Sequence, residues 1–179
     1  MIIKKNRKNM KKEILDNKLK DASYTAFSEA NRWRAVASKI NDENGLFREK
    51  IVILAYASEL YFKSILMYNE INITTIDKKE IGNGHSLYKL YKLCPEKIKS
   101  DILKNLKFEP VIVKDFYSGE VKKIYYSFEE ILELVSNNFL DLRYIYEKYA
   151  NNEPVLVVEN IIEELSEYLH DIIIKQEYK

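Results

Sequence analysis

The chain has 179 residues, of which 46% are hydrophobic and 32% charged, with only four glycines and three prolines. This length suits one ordinary domain, and the composition excludes a disordered or fibrous chain. With 29 Lys and Arg against 28 Asp and Glu, the net charge of +1 excludes a global field that recruits nucleic acid or an anionic membrane. We therefore expect a single helix-rich domain over residues 1–179.

The single cysteine, Cys94, excludes an intramolecular disulfide and a multi-cysteine metal site. No uninterrupted apolar run has the length of a membrane span, and the Met-Ile-Ile start is too short for a signal sequence. These features predict a cytoplasmic protein with no membrane partner, no metal and no cofactor.

Helical periodicity predicts a first long helix from about Lys11 to Ile40, after a flexible basic leader at residues 1–10. The stretch 46–71 is the most apolar in the chain, and its apolar residues cover more than one helix face. Such a pattern is typical of a central, buried helix.

The middle of the chain is predicted to hold shorter elements. After a loop, a short helix begins near His85 or Ser86 and ends at Cys94, and Pro95 suits the first turn of another helix. Residues 107–126 contain two β-prone runs on either side of a Ser-Gly pair, which predicts a β-hairpin or flap.

The last third of the chain returns to helical patterns. Ser127 and Glu130 form a capping-box pattern before a helix that runs to about Tyr149, and a final helix is predicted from about Leu156 to Gln176. The predicted fold class is all-α: a four- to five-helix up-and-down bundle with the hairpin inserted before the fourth long helix.

One candidate functional pair lies on the central helix, where Glu59 and Lys63 are one turn apart in the favourable order. A charged pair in a buried helix is costly unless each partner is satisfied, and such sites are enriched in function. A pair that stabilises the bundle surface explains the same spacing.

The second candidate is His85, at the start of a short helix, where an imidazole can act as an acid, as a base or as a hydrogen-bond donor to phosphate. A structural cap or a buried packing residue suits the position equally. His170, on the last helix, is predicted to be a surface or packing residue, and the two histidines make no metal motif.

The third candidate is Arg143, on the flank of an apolar helix stripe and one turn before Glu147. An arginine there suits a clamp on phosphate or on a carboxylate, together with the nearby Tyr144 and Tyr146. An intramolecular bridge to Glu59 or Glu147 is the alternative.

The segments "ASELYFKSIL", "GHSLYKLYKL", "SFEEILELVSNNF" and "LRYIYE", in this order, resemble the HEPN superfamily of helical domains. The resemblance covers about residues 22–170 and implies a dimeric helical bundle found in toxin-antitoxin, phage-defence and RNA-processing systems. Active members resemble metal-independent ribonucleases in which an arginine is followed four to six residues later by a histidine. Arg143 matches that arginine, but no histidine follows it at this distance.

Three hypotheses about function follow from the missing histidine. The first is a homodimeric module that binds RNA, a nucleotide or a protein partner, such as an antitoxin or defence protein, without the usual ribonuclease site. The second is a metal-independent endoribonuclease of a toxin or defence system, in which Arg143 works with His85. The third is a structural interaction subunit, in which Glu59, Lys63, Arg143 and Glu147 form only an ion network.

Overall fold

The computed structural model describes residues 2–40, 47–71, 73, 86–106, 111–115, 119–124, 126–143, 156–158 and 161–177. Side chains are described within residues 15–40, 49–71, 73, 86–106, 119–121, 126–136 and 161–175.

The described part of the chain forms six helices and three short strands. The helices are α1 (Ile2–Ala37), α2 (Phe47–Tyr68), α3 (Leu87–Leu93), α4 (Glu96–Asn105), α5 (Phe128–Arg143) and α6 (Ile161–Glu177). The strands are β1 (Val111–Asp115), β2 (Val121–Ile124) and β3 (Leu156–Val158). The predicted helical character of the chain is therefore confirmed.

Helix α2 lies at the centre of the core and contacts α1, α3, α5 and α6. Its residues Tyr61, Phe62, Ile65 and Leu66 are fully buried, because neighbouring helices cover several of its faces. Burying a large apolar side chain stabilises a fold by about 1.5–3 kcal/mol relative to leaving it exposed. The apolar character of residues 46–71 is thus explained by burial in the core.

The segment Glu49–Tyr68 of α2 is long and apolar enough to cross a membrane, judged by length and composition alone. Most of it is buried within the protein, and core helices of soluble proteins pass the same test. The segment is interrupted by charged residues such as Glu59 and Lys63, so it is not a continuous apolar run.

The end of α2 is a Schellman motif, which satisfies the last carbonyl groups of the helix. The Ile71 N–H donates to the Leu66 carbonyl oxygen at 2.9 Å, and the Glu70 N–H donates to the Met67 carbonyl oxygen at 3.0 Å. Glu70 has a φ of 61°, the left-handed conformation that this motif requires and that glycine usually supplies. The motif stops the helix and turns the chain.

Helix α3 begins and ends where the sequence predicts. The Ser86 hydroxyl accepts a hydrogen bond from the Lys89 N–H, and Cys94 is the C-terminal cap. Pro95 then precedes α4, where its missing N–H costs no helical hydrogen bond.

The capping box of α5 forms as its sequence predicts. The Ser127 N–H donates to Glu130 Oε2 at 2.7 Å, and the Glu130 N–H donates to Ser127 Oγ at 3.3 Å. Helix α5 is described as far as Arg143, whereas its predicted end near Tyr149 lies outside the described residues.

The three strands form one sheet in the order β2-β1-β3, and β1 is antiparallel to both neighbours. Val111 lies opposite Ile124 on β2, and Asp115 lies opposite Leu156 on β3. Between β1 and β2, Gly119 has a φ of +69°, a backbone conformation that glycine adopts without strain.

Two predicted helix starts are corrected. The final helix begins at Ile161 instead of Leu156, because the branched residues Leu156–Val158 pair with β1 as a strand. Helix α1 begins at Ile2 instead of Lys11, so the backbone of the predicted leader is helical. The flexibility of that leader stays a prediction.

Candidate functional site

The candidate charged pair of α2 forms as the spacing predicts. Lys63 Nζ donates to Glu59 Oε1 at 2.5 Å. The Glu59 side chain is 3% exposed and the Lys63 side chain 23%, so the pair runs from the core towards the surface. A buried carboxylate needs such a partner, since an unpaired buried charge is strongly destabilising. Glu59 takes part in at least one further interaction.

The start of α3 is tied to α5 by a hydrogen bond. The Leu87 N–H donates to Ser136 Oγ at 2.9 Å, and the Ser136 hydroxyl donates in turn to the Leu132 carbonyl oxygen at 2.6 Å. Ser86, the residue after His85 in the sequence, caps α3 at this junction. The serine hydroxyl of α5 therefore fixes the beginning of α3 against that helix.

Helix α5 also carries Arg143, two turns after Ser136. Residues two turns apart on an α-helix lie on the same face, about 10 Å apart along the axis. The backbone of Arg143 is described, but its side chain is not. His85, Tyr144, Tyr146 and Glu147 lie outside the described residues, so their part in the site stays a prediction.

Sequence reasoning missed a polar cluster where α1 and α2 meet. The Tyr61 hydroxyl donates to Asn31 Oδ1 at 2.7 Å. Burial raises the pKa of Tyr61, and a hydrogen bond from the Arg34 side chain partly offsets that rise. The hydroxyl is therefore neutral at physiological pH and acts as a donor that holds the two helices together. Asn31 and Arg34, one turn apart on α1, are the sequence signal that was overlooked.

His170 is the packing residue at the edge of that cluster. Its ring stacks on Phe27 with centroids 5.6 Å apart and meets the Tyr61 ring edge-on at 6.1 Å. Nδ1 lies 3.1 Å from Asp171 Oδ1. These contacts explain its position by packing, as expected from its place on the last helix.

Two serines join α1 and α2 deep in the core. Ser23 Oγ donates to the Ser64 carbonyl oxygen and Ser64 Oγ donates to the Ser23 carbonyl oxygen, each at 2.9 Å. Both residues are almost fully buried. Small side chains let the two helix backbones approach closely, and the reciprocal bonds satisfy both hydroxyls.

The lone thiol is poorly suited to nucleophilic chemistry. Cys94 is 3% exposed, and burial raises the pKa of its thiol to about 12. The thiol is protonated at neutral pH. Among the described residues, no group of three or more His, Cys, Asp or Glu side chains could hold a metal ion.

Comparisons with known proteins leave the site to be interpreted from its own geometry. No protein-family model matches the chain, and no match is found among curated proteins or solved structures.

Proposed function

We propose that this chain is a HEPN-like, homodimeric RNA-binding domain of a cytoplasmic defence or toxin-antitoxin system, without the usual ribonuclease site. In this proposal the helices form an up-and-down bundle, and the strands β1–β3 form a flap beside it. RNA lies in a cleft formed by α2, the start of α3 and the end of α5, with Lys63, His85 and Arg143 as its polar contacts.

One observation carries the proposal: the Leu87 N–H of α3 donates to Ser136 Oγ of α5 at 2.9 Å. This bond supports a cleft at the junction, because the segment that includes His85 leads directly into α3, and α5 carries Arg143. Two motifs that are far apart in the sequence thus belong to elements that touch.

The charge of Lys63 supports the same proposal. Its side chain is 23% exposed, while its partner Glu59 is buried beneath it. The carboxylate therefore positions the ammonium group at the edge of the core, where Glu59 accepts from one of its three donors in the part of the chain that the structure describes. Lysine and arginine contact phosphate oxygens, and tyrosines such as Tyr144 and Tyr146 stack on unpaired bases.

The same α3–α5 contact favours one alternative, a metal-independent endoribonuclease. A nuclease of this kind needs a general base for the attacking 2′-hydroxyl and a cation for the developing phosphorane charge. His85 and Arg143 supply those groups if their side chains meet within one subunit or across a dimer.

Fluorescence anisotropy with a labelled single-stranded RNA, in EDTA and at low salt, tests the proposal. We expect micromolar binding that weakens as salt rises, because phosphate contacts release counterions. Arg143→Ala should remove the binding while the thermal unfolding temperature stays close to that of the parent. Arg32→Ala is the matched control, because Arg32 is a 73% exposed arginine on α1.

The outcomes separate the hypotheses. Cleavage of the RNA in EDTA that is lost in both Arg143→Ala and His85→Ala supports the nuclease over the binding module. A large fall in unfolding temperature in Arg143→Ala, with RNA binding unchanged, supports the structural subunit. No RNA binding at low salt overturns the proposal, and sedimentation of a monomer at micromolar concentration overturns its dimeric form.

A further inference from the structure

A groove of about 470 Å³ lies between the end of α2, helix α4 and helix α6. Pockets that hold small molecules have volumes of about 300–1,000 Å³. Glu59 and Lys63 are not among the residues that line the groove, and neither is any residue of α5. It is therefore distinct from the cleft proposed for RNA.

The floor of the groove is apolar and one of its walls is aromatic. Ile98 and Ile172, exposed by 6% and 8%, are the most buried residues of the lining, which also includes Tyr68 and Tyr168. A flat ring buries apolar surface well against such residues, and aromatic side chains add stacking.

The Tyr168 ring is held in place by its hydroxyl. That hydroxyl donates to the main-chain carbonyl oxygen of Asp101 at 2.8 Å, and Asn105 Nδ2 donates to the same oxygen at 2.7 Å. Burial raises the pKa of Tyr168, so the hydroxyl is neutral. One wall of the groove is thus preorganised, which lowers the entropic cost of binding a ring.

Two exposed lysines line the groove. Lys97 and Lys175 are exposed, and neither forms a salt bridge with a carboxylate in the part of the chain that the structure describes. A second groove on the other side of α4 also has two exposed lysines, Lys92 and Lys104, whereas its third lysine, Lys99, pairs with Glu96 at 2.5 Å. Cations that are solvated instead of paired can exchange water for an anionic ligand.

Acceptors for hydroxyl groups are also present. Asp101 lines the groove, and Tyr168 and Asn105 bond to its main-chain oxygen and not to its carboxylate. Asn69 donates through Nδ2 to the Ile65 carbonyl oxygen, which leaves its side-chain oxygen as an acceptor. A carboxylate is well suited to accept hydrogen bonds from the paired hydroxyls of a ribose.

From this combination of apolar floor, fixed ring, two exposed lysines and a carboxylate, we propose that the groove beside α4 binds a nucleoside monophosphate. The base packs between Tyr168 and the floor formed by Ile98 and Ile172. The ribose hydroxyls donate to Asp101, and the phosphate accepts from Lys97 and Lys175. This site is separate from the RNA cleft and does not rest on RNA binding.

Isothermal titration of the full chain in EDTA with AMP, GMP, CMP and UMP tests this site. The corresponding nucleosides and inorganic phosphate are titrated as separate probes. We expect at least one nucleoside monophosphate to bind at least about tenfold more tightly than its nucleoside or phosphate alone, since the ring and the anion contribute together.

The matched variants are two pairs of exposed lysines on the two sides of α4. The double variant Lys97→Ala with Lys175→Ala should weaken nucleotide binding by about tenfold or more. The double variant Lys92→Ala with Lys104→Ala removes the same charge at the other groove and should leave the affinity unchanged. Equal weakening by both pairs means non-specific attraction and overturns the site.

Asp101→Asn tests the ribose contact. Because Tyr168 and Asn105 bond to the main-chain oxygen of Asp101, the substitution leaves both hydrogen bonds in place. We expect the parent to prefer the ribonucleotide over the 2′-deoxynucleotide and the variant to lose that preference. An unchanged preference overturns the assignment of Asp101.

The remaining outcomes distinguish this site from the RNA cleft. Arg143→Ala should leave nucleoside monophosphate affinity unchanged, and the Lys97 and Lys175 double variant should leave the RNA affinity unchanged. If Arg143→Ala abolishes mononucleotide binding, the ligand occupies the RNA cleft and the α4 site is wrong. If no nucleoside monophosphate binds at millimolar concentration, the α4 site is also wrong, whatever the RNA titration gives.

Discussion

Polar side chains are satisfied differently at the interface between α1 and α2 and in the groove beside α4. In the interface, Ser23 and Ser64 bond to each other's backbone, and Tyr61 bonds to Asn31. In the groove, Lys97 and Lys175 have no ion pair with a described carboxylate. A polar group closed off between helices must find a protein partner because water cannot reach it, whereas a polar group at an open groove is satisfied by water that a ligand can replace.

Two serines are exceptions within the core. Ser58 Oγ and Ser166 Oγ are buried, and neither has a hydrogen-bond partner in the described part of the chain. An unsatisfied buried hydroxyl costs about 1–3 kcal/mol. Small polar residues on α2 and α6 therefore reduce stability where the serine pair of α1 and α2 adds to it.

The largest loss of stability is expected from a substitution that disrupts the α1–α2 interface. Ser64→Leu inserts a large side chain where the two backbones approach and removes one of the reciprocal bonds, at a cost of about 2–5 kcal/mol. Urea unfolding measured by circular dichroism should show the midpoint falling clearly. Ser64→Ala, which removes the bond without adding volume, should cost less. Equal effects of both substitutions would show that packing at this position is loose.

A smaller effect is expected at Lys63, between the closed interface and the open surface. Lys63→Met leaves the buried Glu59 without its ammonium partner. Because Lys63 is 23% exposed, we expect a cost of about 1–3 kcal/mol, below that of a fully buried pair. A double-mutant cycle with Glu59→Gln should recover part of the loss. Additive effects in that cycle would contradict coupling between the two side chains.

The smallest effect is expected at the exposed cap of α5, where water competes with the protein for the same groups. Ser127→Ala removes the hydroxyl that accepts from the Glu130 N–H and should cost about 1 kcal/mol. Thermal unfolding at neutral pH measures this difference, with Ser100→Ala on the exposed surface of α4 as the control.

The same cap has a predicted pH dependence. Hydrogen bonds from the Ser127 backbone and hydroxyl hold the pKa of Glu130 below its usual value. A lowered folded-state pKa gives stability that is present above the unfolded value of about 4.3 and is lost as pH falls through the folded value. The difference in unfolding temperature between the parent and Glu130→Gln should therefore shrink below pH ~4. A difference that stays constant down to pH ~2 would contradict this origin.

The local elements were the most predictable part of the protein. The Ser127 and Glu130 pattern and the span from Ser86 to Cys94 depend on groups only a few residues apart, so their spacing is visible in the sequence. The predicted start of α6 was wrong, because Leu156–Val158 pair with β1, a strand that is distant in the sequence. Of the candidate site, the Glu59–Lys63 pair was predictable for the same local reason.

The sequence by itself determined the helical character, the buried central helix and the one-turn pairing of Glu59 with Lys63, because these follow from side chains at helical spacing. Only the tertiary structure decided that Ser23 meets Ser64, that the start of α3 is bonded to Ser136, and that Lys97 and Lys175 flank one groove. Each of those contacts joins separate helices. Their geometry depends on how the helices pack, and helical spacing carries no information about which face of a distant helix lies opposite.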